Sequence, residues 1–221
     1  MTTLALLGAG PGLGAAVARR FATEGLSIAL LARDQAKLDG LAAGLTAAGY
    51  AARGFAADIR DPEALTGALD AAARELGPIE VLQLSPIPQR ASLRPVLETS
   101  RADLLAALEL SVLGPATAVQ HVLPGMRALG RGTVLLVNGG SAVRPNPQVA
   151  GTSTAFAAES AYAAMLHDVL APVGIHVGQL IVPGAIEPGN PRTAPDVLAE
   201  TLWSMHAGRG DLRVFADAMP D

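Results

Sequence analysis

A glycine-rich turn near the start of the chain constrains the fold more than any other feature. The apolar residues 4–7 run into four glycines between positions 8 and 14, and residues 15–21 then have the character of a helix. Glycine allows a tight turn and a close approach between backbone and ligand, because it has no Cβ atom. The N–H groups at the start of the helix then attract an anion. The sequence therefore predicts a strand–turn–helix unit that holds a phosphate group, such as the pyrophosphate of a dinucleotide.

The composition is typical of one globular domain, predicted to span residues 1–221. The 16 Lys and Arg residues against 20 Asp and Glu residues give a net charge of −4, which argues against a nucleic-acid-binding protein. Gly, Pro or a charged residue interrupts every apolar run before the ~20 residues of a membrane span. The chain has no cysteine, so disulfides, thiolate catalysis and cysteine-bound metal are excluded. We expect a cytoplasmic protein without a metal site and without nucleic-acid or membrane partners.

Apolar runs alternate with amphipathic stretches along the whole chain. Strands are predicted at residues 3–7, 26–32, 51–56, 79–84, 133–137, 175–182 and 212–215. Helices are predicted near residues 13–24, 35–48, 62–76, 100–129, 153–171 and 195–207. Buried strands that alternate with helices predict an α/β fold, with a doubly wound parallel sheet of about seven strands in three αβα layers.

The glycine spacing and several later segments resemble the short-chain dehydrogenase/reductase family. Gly8, Gly12 and Gly14 fit G-x-x-x-G-x-G, whereas G-x-G-x-x-G started at Gly8 fails at Leu13. Three later segments are similar to the family's fourth, fifth and sixth strands, namely residues 79–82, 132–138 and 175–184. The resemblance covers nearly the whole chain and implies a Rossmann-type domain that binds NAD(H) or NADP(H).

The resemblance also implies a set of cofactor-binding residues in the glycine turn and at later strand ends. They are Gly8, Gly10, Pro11, Gly12, Leu13, Gly14, Arg33, Asp58, Ile59, Pro183 and Gly184. Asp58 resembles the acid that meets the adenine.

The end of the second predicted strand bears on the choice of cofactor. An acid there would bind the ribose 2′-hydroxyl and select NAD, but the position is Ala32, and Arg33 follows. Guanidinium pairs strongly with phosphate, so NADP(H) is favoured over NAD(H). The alternative is that Arg33 only covers the strand end and pairs with Asp34.

The resemblance fails at the positions that perform the family's chemistry, a Tyr and a Lys four residues later. Counting back from the sixth strand at Ile175 places them at Thr152 and Phe156. An aliphatic hydroxyl is a far weaker acid than a phenol, and losing positioned proton transfer lowers a rate by roughly 10²–10⁴. Hydride transfer by proximity alone remains open.

Further positions around this site also differ from the family. Ser111 stands where the family has an Asn, and Gly139 where it has a Ser; Ser141 is the nearest remaining hydroxyl. Ser141 and Thr152 are therefore the candidate catalytic residues. Tyr162 is an alternative that the helical geometry disfavours, because it lies off the face of residues 152 and 156.

Other polar residues near the predicted crevice have functional and structural interpretations. Arg90, Arg94 and Arg144 could hold an anionic ligand, although solvated loop arginines are the commoner case. His121 and His167 lie well along helices and are interpreted as surface or interface residues. The connection after Pro183-Gly184 is short, which favours an open pocket or one completed by a partner.

Three functions follow, in order of preference. The first is an oxidoreductase with an altered proton-transfer site, acting on a small carbonyl or an activated C=C bond. The second is a non-catalytic NADP(H)-binding redox sensor or supporting subunit. The third is a hydrolase or lyase, ranked last because neither a G-x-S-x-G elbow nor an acid–base pair is evident. The family's usual contacts predict a homodimer or homotetramer through helices 100–129 and 153–171.

Overall fold

The computed structural model describes residues 1–88 and 93–219 of the chain. Its strands are β1 (Thr3–Leu7), β2 (Ser27–Ala32), β3 (Ala52–Ala56), β4 (Ile79–Leu84), β5 (Gly132–Gly139), β6 (Ile175–Val182) and β7 (Arg213–Phe215). Its α-helices are α1 (Leu13–Ala22), α2 (Gln35–Ala47), α3 (Pro62–Leu76), α4 (Arg101–Leu108), α5 (Gly114–Leu129), α6 (Ala150–Leu170) and α7 (Pro195–Gly208). Apart from the stretch 100–129, each predicted element is present with its boundaries within a few residues.

Within the described residues, seven strands form one parallel sheet in the order β3-β2-β1-β4-β5-β6-β7. The strand order reverses between β1 and β4, so a crevice opens at the carboxyl ends of these strands. Leu7 of β1 aligns with Leu31 of β2 and with Leu84 of β4, so the three strands end together. The predicted doubly wound parallel fold is confirmed.

Helices cover both faces of the sheet, which gives the predicted three layers. On one face α1, α2 and α7 bury Phe21, Leu38 and Leu202 against the strands. On the other face α3 and α5 bury Leu69 and Val119, and α6 completes the layer. Because both faces are covered, the central strands are apolar on both sides.

The helix predicted near residues 100–129 is present as the continuous stretch Arg101–Leu129, but its middle is not α-helical. A π-helical turn, Glu109–Leu113, separates α4 from α5. The N–H of Gly114 donates to the carbonyl of Glu109, five residues back. Pro115 has no N–H for the carbonyl of Ser111, so a regular α-helical bond is impossible at this point.

The same stretch is long and apolar. Among the described residues, Arg101–Leu129 is the one helical stretch that could cross a membrane by length and composition alone. Core helices of globular proteins pass the same test. Only 28% of its most apolar window is buried, so the fold leaves much of its surface uncovered.

The side chain of Gln35 occupies the free edge of the sheet at β3. Its Oε1 accepts a hydrogen bond from the N–H of Ala56 (2.9 Å), and its Nε2 donates to the carbonyl of Gly54 (3.1 Å). A Cβ at Gly54 would lie 2.6 Å from the Cβ of Leu38, so only glycine fits beneath α2. The first residue of α2 is thereby tied to the edge strand.

Candidate functional site

The site is a cavity of about 370 Å³ at the carboxyl ends of β1, β2 and β3. Its walls come from the glycine turn after β1, the residues after β2, β3 and β4, the α4–α5 junction and the start of α6. The lining includes six of the predicted cofactor-binding and catalytic residues: Gly8, Gly10, Arg33, Asp58, Ile59 and Thr152. The switch point of the sheet therefore coincides with the predicted ligand crevice.

The glycine turn has a tightly constrained base. Gly8 has φ +92°, and a Cβ there would lie 2.6 Å from the carbonyl oxygen of Ser85. The N–H groups of Gly8 and Ala9 donate to the carbonyl of Leu31 (3.0 and 3.1 Å). A side chain at Gly14 would press on the Cα of Ala9 at 3.2 Å. The turn is thus held against β2 and β4.

The upper part of the turn, in contrast, faces open space. A Cβ at Gly10 or at Gly12 would meet no atom within 4 Å. Gly12 is the N-cap of α1 and provides no side-chain cap for the helix. Pro11 and Leu13 flank it, outside the lining of the cavity. An uncapped helix start beside unfilled space is a fitting cradle for a pyrophosphate.

Charged side chains gather at the end of the cavity next to β2 and β3. The guanidinium of Arg60 donates to both carboxylate oxygens of Asp58 (3.0 and 2.6 Å). Together with the charge of Arg33, this pairing lowers the pKa of Asp58 to about 2. Asp34 bonds the backbone N–H and the ammonium of Lys37 instead of Arg33. Two guanidinium groups and one carboxylate therefore give this end a net positive charge.

Arg60 was not identified from the sequence. It lines the cavity beside Asp58 and Arg33. The signal that could have found it is the spacing Asp58-x-Arg60, which allows a side chain to fold back onto an acid two residues earlier.

The opposite end of the cavity has hydroxyl groups and apolar walls. Thr152, at the start of α6, and the buried Ser111, in the π turn, both line it. Phe156 lies one turn further along α6 and is buried against Ala142 and Ile181. Among the described lining residues, no acid or base lies near Thr152.

The structure does not bring every predicted residue into the cavity. Ser141 lies in a 3₁₀ turn, Gly140–Ala142, after β5, and Pro183 and Gly184 follow β6. None of these three is among the described residues that line the cavity. Of the two candidate catalytic residues, Thr152 therefore lines the cavity together with the glycine turn, and Ser141 does not.

The remaining candidates have structural partners. His121 bonds Asp70 at 2.7 Å, and His167 Nδ1 lies 2.8 Å from the carbonyl of Val177. Burial raises the pKa of Tyr162, which bonds Gln120 of α5. These contacts agree with the interpretation as packing and surface residues.

Two of the three loop arginines, Arg94 and Arg144, contact neighbouring residues. Arg94 pairs with Asp103 at 3.6 Å. Arg144 donates its backbone N–H to the carbonyl of Gly140 (3.0 Å). Arg90 lies outside the described residues. Their binding of an anionic ligand stays a prediction.

A buried polar network between α6 and the sheet was also not identified from the sequence. The amide of Asn138 donates to Glu159 (2.6 Å), and Gln179 donates to Asn138 (2.8 Å). Ser160 and Arg213 donate in turn to Gln179 (2.7 and 3.0 Å). Burial raises the pKa of Glu159 to about 8, so its carboxyl group is protonated at neutral pH. The signal in the sequence is an acid in the middle of a helix whose neighbouring residues are small or apolar.

Comparisons with known proteins agree with this geometry. A family model described as short chain dehydrogenase matches residues 2–196. The chain is 28% identical to a 2,3-dihydro-2,3-dihydroxybenzoate dehydrogenase of Bacillus subtilis, over 97% of this chain and 80% of that protein. It is 31% identical to the short-chain reductase protein NovJ of Streptomyces niveus, over 88% of this chain and 71% of that protein. The solved structure of L-sorbose reductase from Gluconobacter frateurii, complexed with NADPH and L-sorbose, has a TM-score of 0.89 at 20% identity and covers 99% of this chain and 95% of that chain.

Proposed function

The chain belongs to the short-chain dehydrogenase/reductase family, and from this premise we propose an NADP(H)-dependent oxidoreductase that works without the family's Tyr–Lys pair. Its substrate is a small carbonyl compound or an activated C=C compound, which needs little acid assistance. One observation carries the proposal. Gly8 and Gly10 of the glycine turn, the guanidinium groups of Arg33 and Arg60, and the hydroxyl of Thr152 line one cavity.

The preference for NADP(H) over NAD(H) rests on charge. A 2′-phosphate beside β2 would meet Arg33, which follows a strand end that carries no acid. Asp58 would repel a phosphate if it stood alone, but Arg60 neutralises it through two hydrogen bonds. Bidentate guanidinium–carboxylate pairs hold their geometry well. Arg33 is therefore left as the cation that selects the phosphate.

The reaction follows from what the far end of the cavity contains. A bound NADPH supplies the hydride. The hydroxyls of Thr152 and Ser111 can orient a substrate oxygen by hydrogen bonding. Since the described lining offers no strong acid there, the proton comes from solvent. Proximity supports hydride transfer, while the absent general acid lowers its rate.

A second candidate is a redox sensor or a supporting subunit that binds NADP(H) without turnover. The observation that favours it is Phe156, an apolar side chain with 8% exposure at the position of the family's Lys. A phenyl ring cannot hydrogen-bond a ribose, and its packing against Ala142 and Ile181 leaves no polar group in its place.

Cofactor binding is tested by titrating NADPH and NADH while following nucleotide fluorescence, with Arg33→Ala and the matched control Arg53→Ala. Arg53 pairs with Glu75 on the far side of β3. Arg33→Ala should raise the Kd for NADPH about 10- to 100-fold and leave that for NADH nearly unchanged. Tighter binding of NADH than of NADPH by the unaltered protein would overturn the preference.

Turnover is tested by following NADPH oxidation with a panel of activated ketones, aldehydes and enones. Oxidation with any of them supports the oxidoreductase. Binding of NADPH with no oxidation across the panel selects the sensor or subunit instead. Failure to bind either nucleotide overturns both candidates.

A further inference from the structure

The segment that follows β7, residues 216–219, returns over the carboxyl ends of β5 and β6. The N–H of Ala216 donates to the carbonyl of Ile181 (2.9 Å), which begins the return. Three residues later, the side chain of Met219 packs on the small apolar cluster of Ala142, Phe156 and Ile181. We call residues 216–219 the return segment.

The thioether of Met219 fills a specific place between these two strand ends. A Cβ at Gly140 would lie 3.1 Å from the Cε of Met219 and 3.5 Å from its Sδ. The same point is 3.7 Å from the Cα of Pro183. Met219 therefore lies against Gly140, the residue between Gly139 and Ser141, and next to the Pro183-Gly184 turn.

This place is where the nicotinamide half of a bound dinucleotide is expected. Ser141, Pro183 and Gly184 were assigned from the sequence to the reaction and to the cofactor, yet the described cavity lining includes none of them. The lining does include Arg33 and Asp58 at the adenosine end. The adenosine end of the crevice and the surface around Thr152 and Ser111 are open, whereas Met219 and Phe156 pack against the strand ends beside Gly140.

We propose that the return segment competes with the nicotinamide half of the dinucleotide, so that NADP(H) binds fully only when Met219 leaves Gly140. This inference rests on the proposed binding of NADP(H). The protein then has two states, one with the segment docked and the adenosine end open, and one with the segment displaced and the whole crevice open. A ligand that carries only the adenosine half binds both states equally and does not shift the equilibrium between them.

Ala216 is fixed by its bond to Ile181 and by the core, but the described contacts of residues 217–219 are weak. Asp217 pairs with Arg192 at 3.2 Å, and the side chains of both are substantially exposed. Exposed ion pairs of this kind contribute little stability. Met219 itself is only half-buried. Short segments with few buried contacts open at low free-energy cost, so displacement by a tightly bound nucleotide is feasible.

The pair Arg192–Asp217 also links the return segment to the connection between β6 and α7. This connection follows Pro183-Gly184 and is too short to cover a substrate alone. Displacing the segment therefore frees both sides of the nicotinamide position at once.

The test compares the Kd of NADPH with that of 2′,5′-ADP, which carries the adenosine end and the 2′-phosphate but no nicotinamide. Met219→Ala removes the side chain that fills the site, and Asp217→Asn removes the link to Arg192. The control is Met165→Ala, an exposed methionine on α6. Met219→Ala should bind NADPH about three- to tenfold more tightly and Asp217→Asn about two- to threefold, because a larger fraction of the protein is binding-competent. The Kd of 2′,5′-ADP should not change, and the control should match the unaltered protein.

Methyl-¹³C-methionine NMR of the full chain gives a second measurement. The Met219 methyl signal, assigned by its loss in Met219→Ala, should shift on saturation with NADPH and not with 2′,5′-ADP. The inference is overturned if the ratio of the two Kd values is unchanged in both variants, or if both bind NADPH more weakly. It is also overturned if the Met219 signal does not shift with NADPH. In each of these cases the proposed cofactor stands. If neither nucleotide binds any variant, the proposed function itself fails.

Discussion

At the residue scale, two positions on α6 decide what this protein can do with a bound cofactor. Thr152 lines the cavity, and Phe156 is buried behind it. The hydroxyl of Thr152 can orient a substrate but is too weak an acid to donate a proton at neutral pH. The aromatic ring of Phe156 cannot lower the pKa of a neighbour. In the proposed function, the ligand and the chemistry are therefore encoded by different residues.

Restoring the missing pair should restore the missing step. Thr152→Tyr with Phe156→Lys is expected to raise the rate of NADPH-dependent carbonyl reduction by roughly 10²–10⁴ over the unaltered protein, the usual size of positioned proton transfer. The matched control is Thr152→Tyr with Phe156→Met, which lacks the ammonium. Steady-state NADPH oxidation measures the effect. A double variant that binds NADPH and shows no gain would mean that the family's Tyr and Lys lie elsewhere.

Glu159 should make stability fall as the pH rises. In the unfolded chain its carboxyl ionises near pH 4.5, whereas in the fold its pKa is about 8. Its stabilisation is therefore fully present below pH 4.5 and is lost by pH 8. Burial lowers the pKa of His176 to about 4 and also lowers that of His206, and both give the opposite slope below about pH 6.5. The range from pH 6.5 to 8 is therefore the one in which the effect of Glu159 is measured.

Urea unfolding at pH 6.5 and pH 8 measures this effect. The free energy of unfolding should fall by roughly 2 kcal/mol over this range. Glu159→Gln keeps an acceptor for Asn138 and should abolish the fall, while the exposed change Glu187→Gln should preserve it. The same slope in Glu159→Gln would show that another group titrates.

At the scale of secondary structure, the strands could be predicted far better than the longest helical stretch. The first and last residues of β1, β4 and β6 agree with the prediction, because turn residues lie directly before and after their apolar runs. The π turn before Pro115 was missed, since its apolar pattern continues through the break. Arg60 and Glu159 were missed for another reason: their roles depend on partners that only the fold brings near.

The side chain of Gln35, from α2, protects the exposed edge of the neighbouring strand β3. Gln35→Met has nearly the same shape and loses both bonds to the edge of β3. We expect it to lower the free energy of unfolding by about 1–3 kcal/mol and to promote association through the exposed strand edge. Gln35→Glu keeps one acceptor and should be intermediate. Chemical unfolding and light scattering at several concentrations measure the two effects. Equal stability of all three proteins would contradict this role.

At the scale of the whole molecule, the proposed homodimer or homotetramer accounts for the apolar surface that the fold leaves uncovered. Met165 and Val169 of α6 are 60% and 69% exposed, and Leu105 and Leu113 are exposed in the stretch Arg101–Leu129. Val169→Glu should convert the protein to a monomer in light scattering, because a buried unpaired charge opposes association. Val197→Glu, on α7 in the opposite layer, should leave the assembly unchanged. A monomeric unaltered protein at micromolar concentration would exclude this interface.

The placement of the two guanidinium groups has a further consequence for the kinetics of binding. The chain as a whole carries a net charge of −4, so its overall field opposes the approach of an anion, whereas Arg33 and Arg60 attract it locally. Local fields of this kind orient a charged ligand during encounter and make association depend on ionic strength. A dinucleotide should therefore arrive with its 2′-phosphate first. Added salt should slow association strongly and affect the later settling of the uncharged nicotinamide amide end much less.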